Sequence, residues 1–491
     1  MLTVDVRALA DLLGPWASGS DPMYAQLAAS LRTLVERGDL PAGARIPSER
    51  ELGAALHVSR TTVLGAYDQL RQAGLLRSRR GSGTRVAHGE LSMVARRRPM
   101  DWHPEEVTGA ESFVFTPPRG VIELTIGAQP GTALVAEEAE RAVREDLPGL
   151  LGSFGYLPAG LPAMREAVAA HMRGLGVPTT AEQVLITSGG QQAIDLIARH
   201  FTGPESAVLI ESPTYVSALE AFRASGAAVV AVPLDDEGIR VDVVRDHAQR
   251  RPCHLVYANP TYQNPTGTLL GESRGRELVR LADEYGFLLV DDMCTAYVGL
   301  DGARAVPLAA HDPGDRVLTV GSLSKVAWGG LRIGWIRAPA RLVALLAARK
   351  VQTDFATSIV TQAIAVRLLD RLDELSAVAR AGARARLDAL ESALASELPD
   401  WTWRRPRGGM CLWVRMPSAD GVDFSRVAAS HGVVVRAGPA FSADRGNREY
   451  LRVAYGNEPA VLREAVTRLS AAWTAYRGSP RHEGAAYHVT V

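Results

Sequence analysis

Lysine is almost missing from this chain of 491 residues: of 54 basic side chains only two, Lys325 and Lys350, are lysines. Against so strong a bias toward arginine, a lysine in a motif-like setting stands out. Cysteine is scarce too. Cys253, Cys294 and Cys411 have no CxxC spacing, which excludes a disulfide framework and a thiolate zinc site, and no metal site is expected. No apolar run approaches the ~18 residues of a spanning helix, so no membrane partner is expected. The start, MLTVDVRALADLLG, lacks the basic-then-apolar order of an export signal. Net charge is zero, so overall charge does not point to a polyanionic partner. With 47% hydrophobic and 22% charged residues the composition is globular, and at ~100–200 residues per domain it suggests two to four domains. These features describe a soluble, cytoplasmic, multi-domain protein.

Three textures follow one another. Residues 1–86 carry short helical patterns with a basic end. Residues 87–118 hold Arg96-Arg97-Arg98 and four prolines with little periodicity, as a linker does. From 119 to 476, strand-like runs such as Val184–Thr187, Ala207–Ile210, Phe287–Val290 and Val317–Val320 alternate with amphipathic helical patterns. That alternation indicates an α/β fold with a parallel sheet. A smaller subdomain is expected at about 351–476 and a loose tail over 477–491.

The charge that is absent overall appears locally. Between Ser59 and Arg85 six arginines (60, 71, 77, 79, 80, 85) face a single acid, Asp68. Tyr24, Leu27, Leu31, Leu34 and Val35 have helical spacing, and Pro47-Ser48-Glu49-Arg50 opens a second helix. The turn His57-Val58-Ser59 leads to a third, with Ser59 as N-cap and Val63, Tyr67 and Leu70 facing inward. Arg60, Thr61 and Thr62 then project from its first turn, where a helix-turn-helix meets base edges. Arg79-Arg80-Gly81-Ser82-Gly83-Thr84 forms a basic hairpin tip. The stretch PSERELGAALHVSRTTVLGAYDQLRQAGLLRSRRGSGT resembles the winged helix-turn-helix of the GntR regulators over about residues 22–86. The resemblance implies binding to a double-stranded DNA operator through Arg50, Ser59, Arg60, Thr61, Thr62 and the wing pair Arg80 and Gly81.

The larger region carries four chemical elements. Gly321-Ser322-Leu323-Ser324-Lys325 follows a strand-like run, placing the lysine at a strand's carboxyl end, where α/β folds hold ligands. A lysine there can form a Schiff base with an aldehyde cofactor, and Arg332, seven residues on, offers a bidentate guanidinium to a phosphate. Asp291 ends a buried run, and a protonated pyridine nitrogen would explain a carboxylate there, as would a helix cap or a salt bridge. Asn264-Pro265-Thr266-Gly267 is a tight turn that could present Asn264 to a phenolic oxygen. Ser188-Gly189-Gly190-Gln191 precedes a helix and can offer backbone N–H groups to an anion.

Together these elements resemble fold-type-I aminotransferases over about 120–476. The resemblance implies pyridoxal 5'-phosphate (PLP) held on Lys325, with Asp291 on the pyridine nitrogen, Asn264 on the ring oxygen and Tyr215 stacked on the ring. It assigns the phosphate to Gly190, Gln191, Ser322 and Arg332. It also likens Tyr156 to a tyrosine reaching the phosphate of a partner subunit, hence a homodimer, and Arg452 to an arginine that holds an amino acid's carboxylate. One departure stands out. Such enzymes place a tyrosine two or three residues after the aspartate, where this chain has Met293 and Cys294, with Tyr297 six residues on. A GntR-type module joined to an aminotransferase-like domain resembles the MocR regulators. The expectation is a PLP-dependent regulator that senses PLP itself or an amine or amino-acid effector. The alternatives are a working aminotransferase with an accessory DNA-binding module, or a cofactor-free scaffold. If Arg60 reads a base, Arg60→Ala weakens specific operator binding by ~1–3 kcal/mol in a gel-shift titration; undiminished binding would place recognition elsewhere.

Overall fold

The computed structural model describes residues 120–478 except 303–305 and 314, and of the earlier part residues 4, 6–13, 16–17, 22–37, 40, 44–72, 75–79 and 83–86. Arg80, Gly81, the expected linker over 87–118 and all but the first two residues of the expected tail lie outside the described residues. The chain divides into two compact units, 1–106 and 107–491.

In the first unit, helices α1 (Val6–Leu13), α2 (Met23–Arg37), α3 (Glu49–Ala55) and α4 (Arg60–Gln72) precede an antiparallel hairpin of β1 (Leu76–Arg79) and β2 (Gly83–Val86). Leu27, Leu31, Leu52, Val63, Tyr67, Leu70, Leu76 and Val86 form its core, as the helical spacing requires. The expected Ser59 cap is made, and α3 carries one as well. Ser48 and Glu51 form a capping box on α3, and the Ser59 hydroxyl accepts from Thr62 N–H at 3.1 Å. The turn between α3 and α4 runs through His57 at φ 55°, and a Cβ on Gly53 would stand 3.1 Å from the Val58 carbonyl, so the two helices approach closely there.

In the second unit the elements are β3 (Ile122–Glu123), α5 (Ala133–Glu145), α6 (Leu147–Leu150), α7 (Pro162–Gly174), β4 (Val184–Thr187), α8 (Gly190–Phe201), β5 (Ala207–Ser212) and α9 (Val216–Ala224). Next come β6 (Ala228–Asp235), β7 (Gly238–Ile239), α10 (Val241–Arg250), β8 (Leu255–Ala258), α11 (Glu272–Tyr285), β9 (Leu288–Asp292), β10 (Val317–Ser322) and β11 (Gly334–Arg337). The chain finishes with α12 (Ala340–Val351), α13 (Ile359–Asp370), α14 (Leu372–Glu397), β12 (Thr402–Trp403), β13 (Cys411–Arg415), α15 (Gly421–Ser430), β14 (Val433–Val434), β15 (Arg436–Ala437), β16 (Tyr450–Ala454) and α16 (Pro459–Gly478).

The large sheet has the order β4-β11-β10-β9-β8-β5-β6-β7, parallel from β10 to β6, with β11 antiparallel to both its neighbours. Its central strands are mostly apolar because helices cover both faces: α8, α9 and α12 on one, α7, α10 and α11 on the other. A second, antiparallel sheet, β12-β13-β16-β15, lies beneath α15 and α16. The smaller subdomain is not drawn from the carboxyl-terminal part alone. Ile122 and Glu123 pair in parallel with Val433 and Val434, so the chain enters the second unit along that subdomain. Among the described residues no helix is long and apolar enough to cross a membrane. Ser48→Ala removes the capping box and is expected to cost the first unit ~1 kcal/mol of stability, read from its denaturant midpoint.

Candidate functional site

The carboxyl ends of β4, β5, β8, β9 and β10 converge on one edge of the large sheet, and their following loops line a cavity of about 110 Å³. Gly190, Gln191, Tyr215, Asn264, Ser322, Lys325 and Arg332, all expected at a common site, line it together. Asn259, Asp292, Cys294, Thr295 and Ser324 line it as well.

Asp291 does not. Side chains alternate along β9, and Asp291 points to the opposite face, where its Oδ2 accepts from Leu308 N–H at 2.9 Å and its buried Oδ1 has no partner. Burial, with the neighbouring Asp292 charge adding to it, pushes the Asp291 carboxyl up to about 7. Asp292 is the carboxylate at the cavity. Its Oδ1 accepts from Cys294 N–H at 2.9 Å and its Oδ2 from the Tyr257 hydroxyl at 2.5 Å, while Asn259 Nδ2 donates to its main-chain oxygen at 2.6 Å. The expected placement of Asp291 at the site is therefore corrected by one residue. The positions two and three after the cavity aspartate become Cys294 and Thr295, and neither is a tyrosine. Tyr297 bonds His171 instead, at 2.8 Å, and is not among the residues lining this cavity.

The anion end of the cavity is built from close packing. Gly189, at φ 90°, turns the chain into α8, and a Cβ there would come within 2.7 Å of Arg332 Nη2. A Cβ on Gly190 would come within 2.4 Å of Cys294 Sγ. Arg332 is held in the left-handed region at φ 52° and donates from Nη2 to the Ser188 carbonyl at 2.8 Å. Ser322 hydroxyl bonds Ser324 hydroxyl and the Ile333 carbonyl, each at 3.0 Å. Gln191 Oε1 is buried without a partner. A helix N-terminus, two serines and an arginine around a cradle that any Cβ would fill match a phosphate group.

Behind the cradle lies a network that motif reading missed, because its residues are distant in sequence. Asp354 accepts from Gln192 Nε2 at 2.7 Å, from Ser188 Oγ at 3.1 Å, and from Lys350 Nζ at 2.7 and 3.0 Å. Lys350 is fully buried. Its rarity in the sequence was a signal, but it marks a structural ion pair.

At the other end, Lys325 Nζ donates to the Gly127 carbonyl at 2.6 Å. Burial lowers the lysine amine below its ordinary range, and the Arg452 guanidinium adds to the effect. Arg452, 2% exposed, donates to Asn264 Oδ1 at 3.3 Å and to the Thr125 carbonyl, and lies 4.8 Å over the Phe441 ring. It is adjacent to the cavity through Asn264 without lining it. Tyr156 is not at the cavity of its own chain. It is exposed, and its ring lies 5.6 Å from that of Phe355.

In the first unit, Arg50, Ser59, Arg60 and Thr61 are exposed and Thr62 is half-buried. Ser59 is occupied as a cap, with its hydroxyl 2.7 Å from that of Thr61 and 2.8 Å from that of Thr62. Arg71, counted in the basic run, is tied to Asp68 at 2.6 Å and is structural. Among the described residues no group of three or more His, Cys, Asp or Glu is placed to hold a metal.

Residues 120–469 match the family model of aminotransferase class I and II, and residues 23–86 that of the bacterial regulatory proteins of the gntR family. The chain is 30% identical over 448 residues to the HTH-type transcriptional regulator YisV of Bacillus subtilis, covering 88% of this chain and 92% of that one. It is 32% identical over 345 residues to the HTH-type pyridoxine biosynthesis transcriptional regulator PdxR of Corynebacterium glutamicum, covering 69% and 72%. The crystal structure of Pyrococcus horikoshii kynurenine aminotransferase in complex with PMP superposes with a TM-score of 0.70 at 28% identity, covering 79% of this chain and 99% of that one. If Asp292 meets the pyridine nitrogen, Asp292→Asn weakens PLP binding about tenfold or more, the scale of a hydrogen bond to a charged group. Asp291→Asn leaves the PLP spectrum unchanged. It also stabilises the protein at pH 8, where a carboxyl with a raised pKa is charged in both folded and unfolded states and its burial is a cost. Absorbance titration and melting curves of both variants check this.

Proposed function

The chain belongs to the aminotransferase class I and II family and carries an amino-terminal gntR-family module, the makeup of a MocR-type DNA-binding regulator with PLP as cofactor, and we propose that its aminotransferase-like domain acts as a sensor rather than as a turnover enzyme. The observation that carries this reading is the composition of the cavity. Lys325, Asp292, Asn264, Tyr215 and Arg332 are together, but Cys294 and Thr295 stand at the positions where the resemblance would put a tyrosine on the ring oxygen.

When bound, the cofactor supplies an aldehyde carbon open to amines and a ring that draws electrons from it. The chain's own residues hold and tune it. Gly190, Gln191, Ser322, Ser324 and Arg332 take the phosphate. The Asp292 carboxylate, fixed by Tyr257 and the Cys294 N–H, would pair with the ring nitrogen. Asn264 would bond the ring oxygen, and Tyr215 would pack on the ring. A lowered Lys325 pKa leaves more of the amine unprotonated near neutral pH, the form that attacks a carbonyl.

The exposed Tyr156 supports a homodimer in which each protomer reaches its partner's phosphate. Arg50, Arg60, Thr61, Thr62, Arg80 and Gly81 contact a double-stranded operator, with Ser59 as the cap that orders the recognition helix. The effector is PLP itself or a small amine or amino acid, and the protein works in the cytoplasm beside the DNA. The intact Lys325 and Arg332 support a second reading, an active aminotransferase with an accessory DNA-binding module. Purified protein is expected to show a visible band that borohydride traps on Lys325 and that Lys325→Ala loses. It is also expected to shift its own upstream DNA in a PLP-dependent manner. Turnover of amino-acid/keto-acid pairs at ~1–10³ s⁻¹ would favour the enzyme instead.

A further inference from the structure

Behind the phosphate cradle, in the turn between α12 and α13, a carboxylate stands where an anion site would be expected to exclude one. Asp354 Oδ2 accepts from Gln192 Nε2 at 2.7 Å and from Ser188 Oγ at 3.1 Å, and Ser188 Oγ also lies 3.3 Å from Thr357 Oγ1. Ser188 is gripped at its other polar atoms too. Its N–H donates to Gln192 Oε1 at 2.8 Å, and its carbonyl accepts from Arg332 Nη2 at 2.8 Å. Asp354 thus acts on the residue that precedes the glycine turn into α8 and that holds the cradle's arginine. Neither Asp354 nor Lys350 is among the described residues lining the cavity.

The Asp354 charge works against the cradle it organises. A full negative charge one hydroxyl away from a loop that takes an anion repels that anion, and set against Arg332 alone it would nearly cancel the guanidinium. Lys350 answers it. This lysine, at zero exposure in the last turn of α12, donates from Nζ to Asp354 Oδ1 at 2.7 Å and to Oδ2 at 3.0 Å. The N–H groups of Thr353 and Asp354 close the turn onto the Lys350 carbonyl at 2.9 and 3.1 Å. The pair is neutral, so the positive charge of Arg332 is left for a phosphate. As a source of stability a buried ion pair does little that apolar side chains of similar volume would not do. Its consequence here lies in what the carboxylate holds.

We propose that Lys350 and Asp354 are a positioning pair for the cofactor's phosphate: Asp354 fixes Ser188, and through it Arg332 and the first turn of α8, while Lys350 cancels the carboxylate so that the cradle stays net positive. Both act through Ser188 and Gln192 rather than by contact with the ligand. This rests on the assignment of the phosphate to the cradle made above. It carries an asymmetry of its own. Loss of Lys350 leaves a bare carboxylate behind the phosphate, whereas loss of both charges does not.

The test compares PLP with pyridoxal, which lacks the phosphate, each titrated into the full chain and read by the visible imine band. Lys350→Met is expected to weaken PLP by about tenfold or more, the scale of a hydrogen bond to a charged group, and to leave pyridoxal within about twofold. Lys350→Met combined with Asp354→Asn, which removes both charges and keeps an acceptor for Gln192, is expected to recover most of that loss. A pair that merely held the fold together would lower the melting temperature and weaken both ligands alike. Ser188→Ala cuts one link at a half-buried position and decides the matter if Lys350→Met does not fold: PLP weakens severalfold and pyridoxal is spared. An unchanged ratio of the two affinities in Lys350→Met or Ser188→Ala, or a double variant as weak as the single one, overturns the positioning role. The underlying assignment fails differently. If the parent protein binds PLP no more tightly than pyridoxal, the cradle is not a phosphate site at all.

Discussion

The alternation of side chains along one buried strand is the constraint on which the site depends. On Leu288–Asp292 two adjacent carboxylates end a wholly apolar run, and the pleat sends them to opposite faces of the sheet. Asp292 meets Tyr257, Cys294 and the cavity, whereas Asp291 is turned toward Leu308. A parallel sheet covered by helices on both sides offers no solvent to either group, so each needs a local partner. The face that carries Asp292 also carries the start of α8, and the glycine turn after β4 and the segment after β10, with Lys325 and Arg332, complete the cavity on that side. The polarity of the site thus follows from a two-residue period and from where one helix begins.

Local signals in the sequence found most of the site. A lysine after a strand, an arginine seven residues on, a glycine pair before a helix and an Asn-Pro-Thr-Gly turn each have a short-range physical reason, and the fold gathers all of them. The winged-helix unit was legible for the same cause, since caps, turn and inward face are all encoded within a few residues. The alternation of strand and helix patterns likewise located β4, β5, β9 and β10 to within a few residues, whereas β7 and β11 were not read as strands. The choice between Asp291 and Asp292 was not legible, because a strand of five apolar and acidic residues does not state which face is inside when both are buried. The bonds of Asp354 with Ser188 and Gln192 join residues more than a hundred positions apart, and those of Lys325 and Arg452 to Gly127 and Thr125 use main-chain carbonyls. Neither leaves a pattern in composition or spacing. Ile122 and Glu123 were missed as part of the smaller subdomain for a similar reason, a parallel pairing with a strand of two residues.

A cofactor site becomes a switch only if two states of the protein bind the ligand differently, and coupling of ~1–3 kcal/mol is the usual scale. In this structure main-chain carbonyls hold both cations, Gly127 O on Lys325 and Thr125 O on Arg452, and for any ligand that meets them it is the difference in affinity between two states, rather than total affinity, that sets a response.

The scarcity of lysine has a chemical consequence of its own. Reactive aldehydes condense with any accessible primary amine, and an ordinary surface presents many. Here one of the two lysines is sealed in its pair with Asp354 at zero exposure, and the other sits inside the cavity. The guanidinium groups that supply the rest of the positive charge stay protonated and do not form such adducts readily. Excess free cofactor therefore finds almost no decoy side chain on this protein, and mild reductive alkylation would mark Lys325 and the α-amino group in place of a crowd of surface lysines.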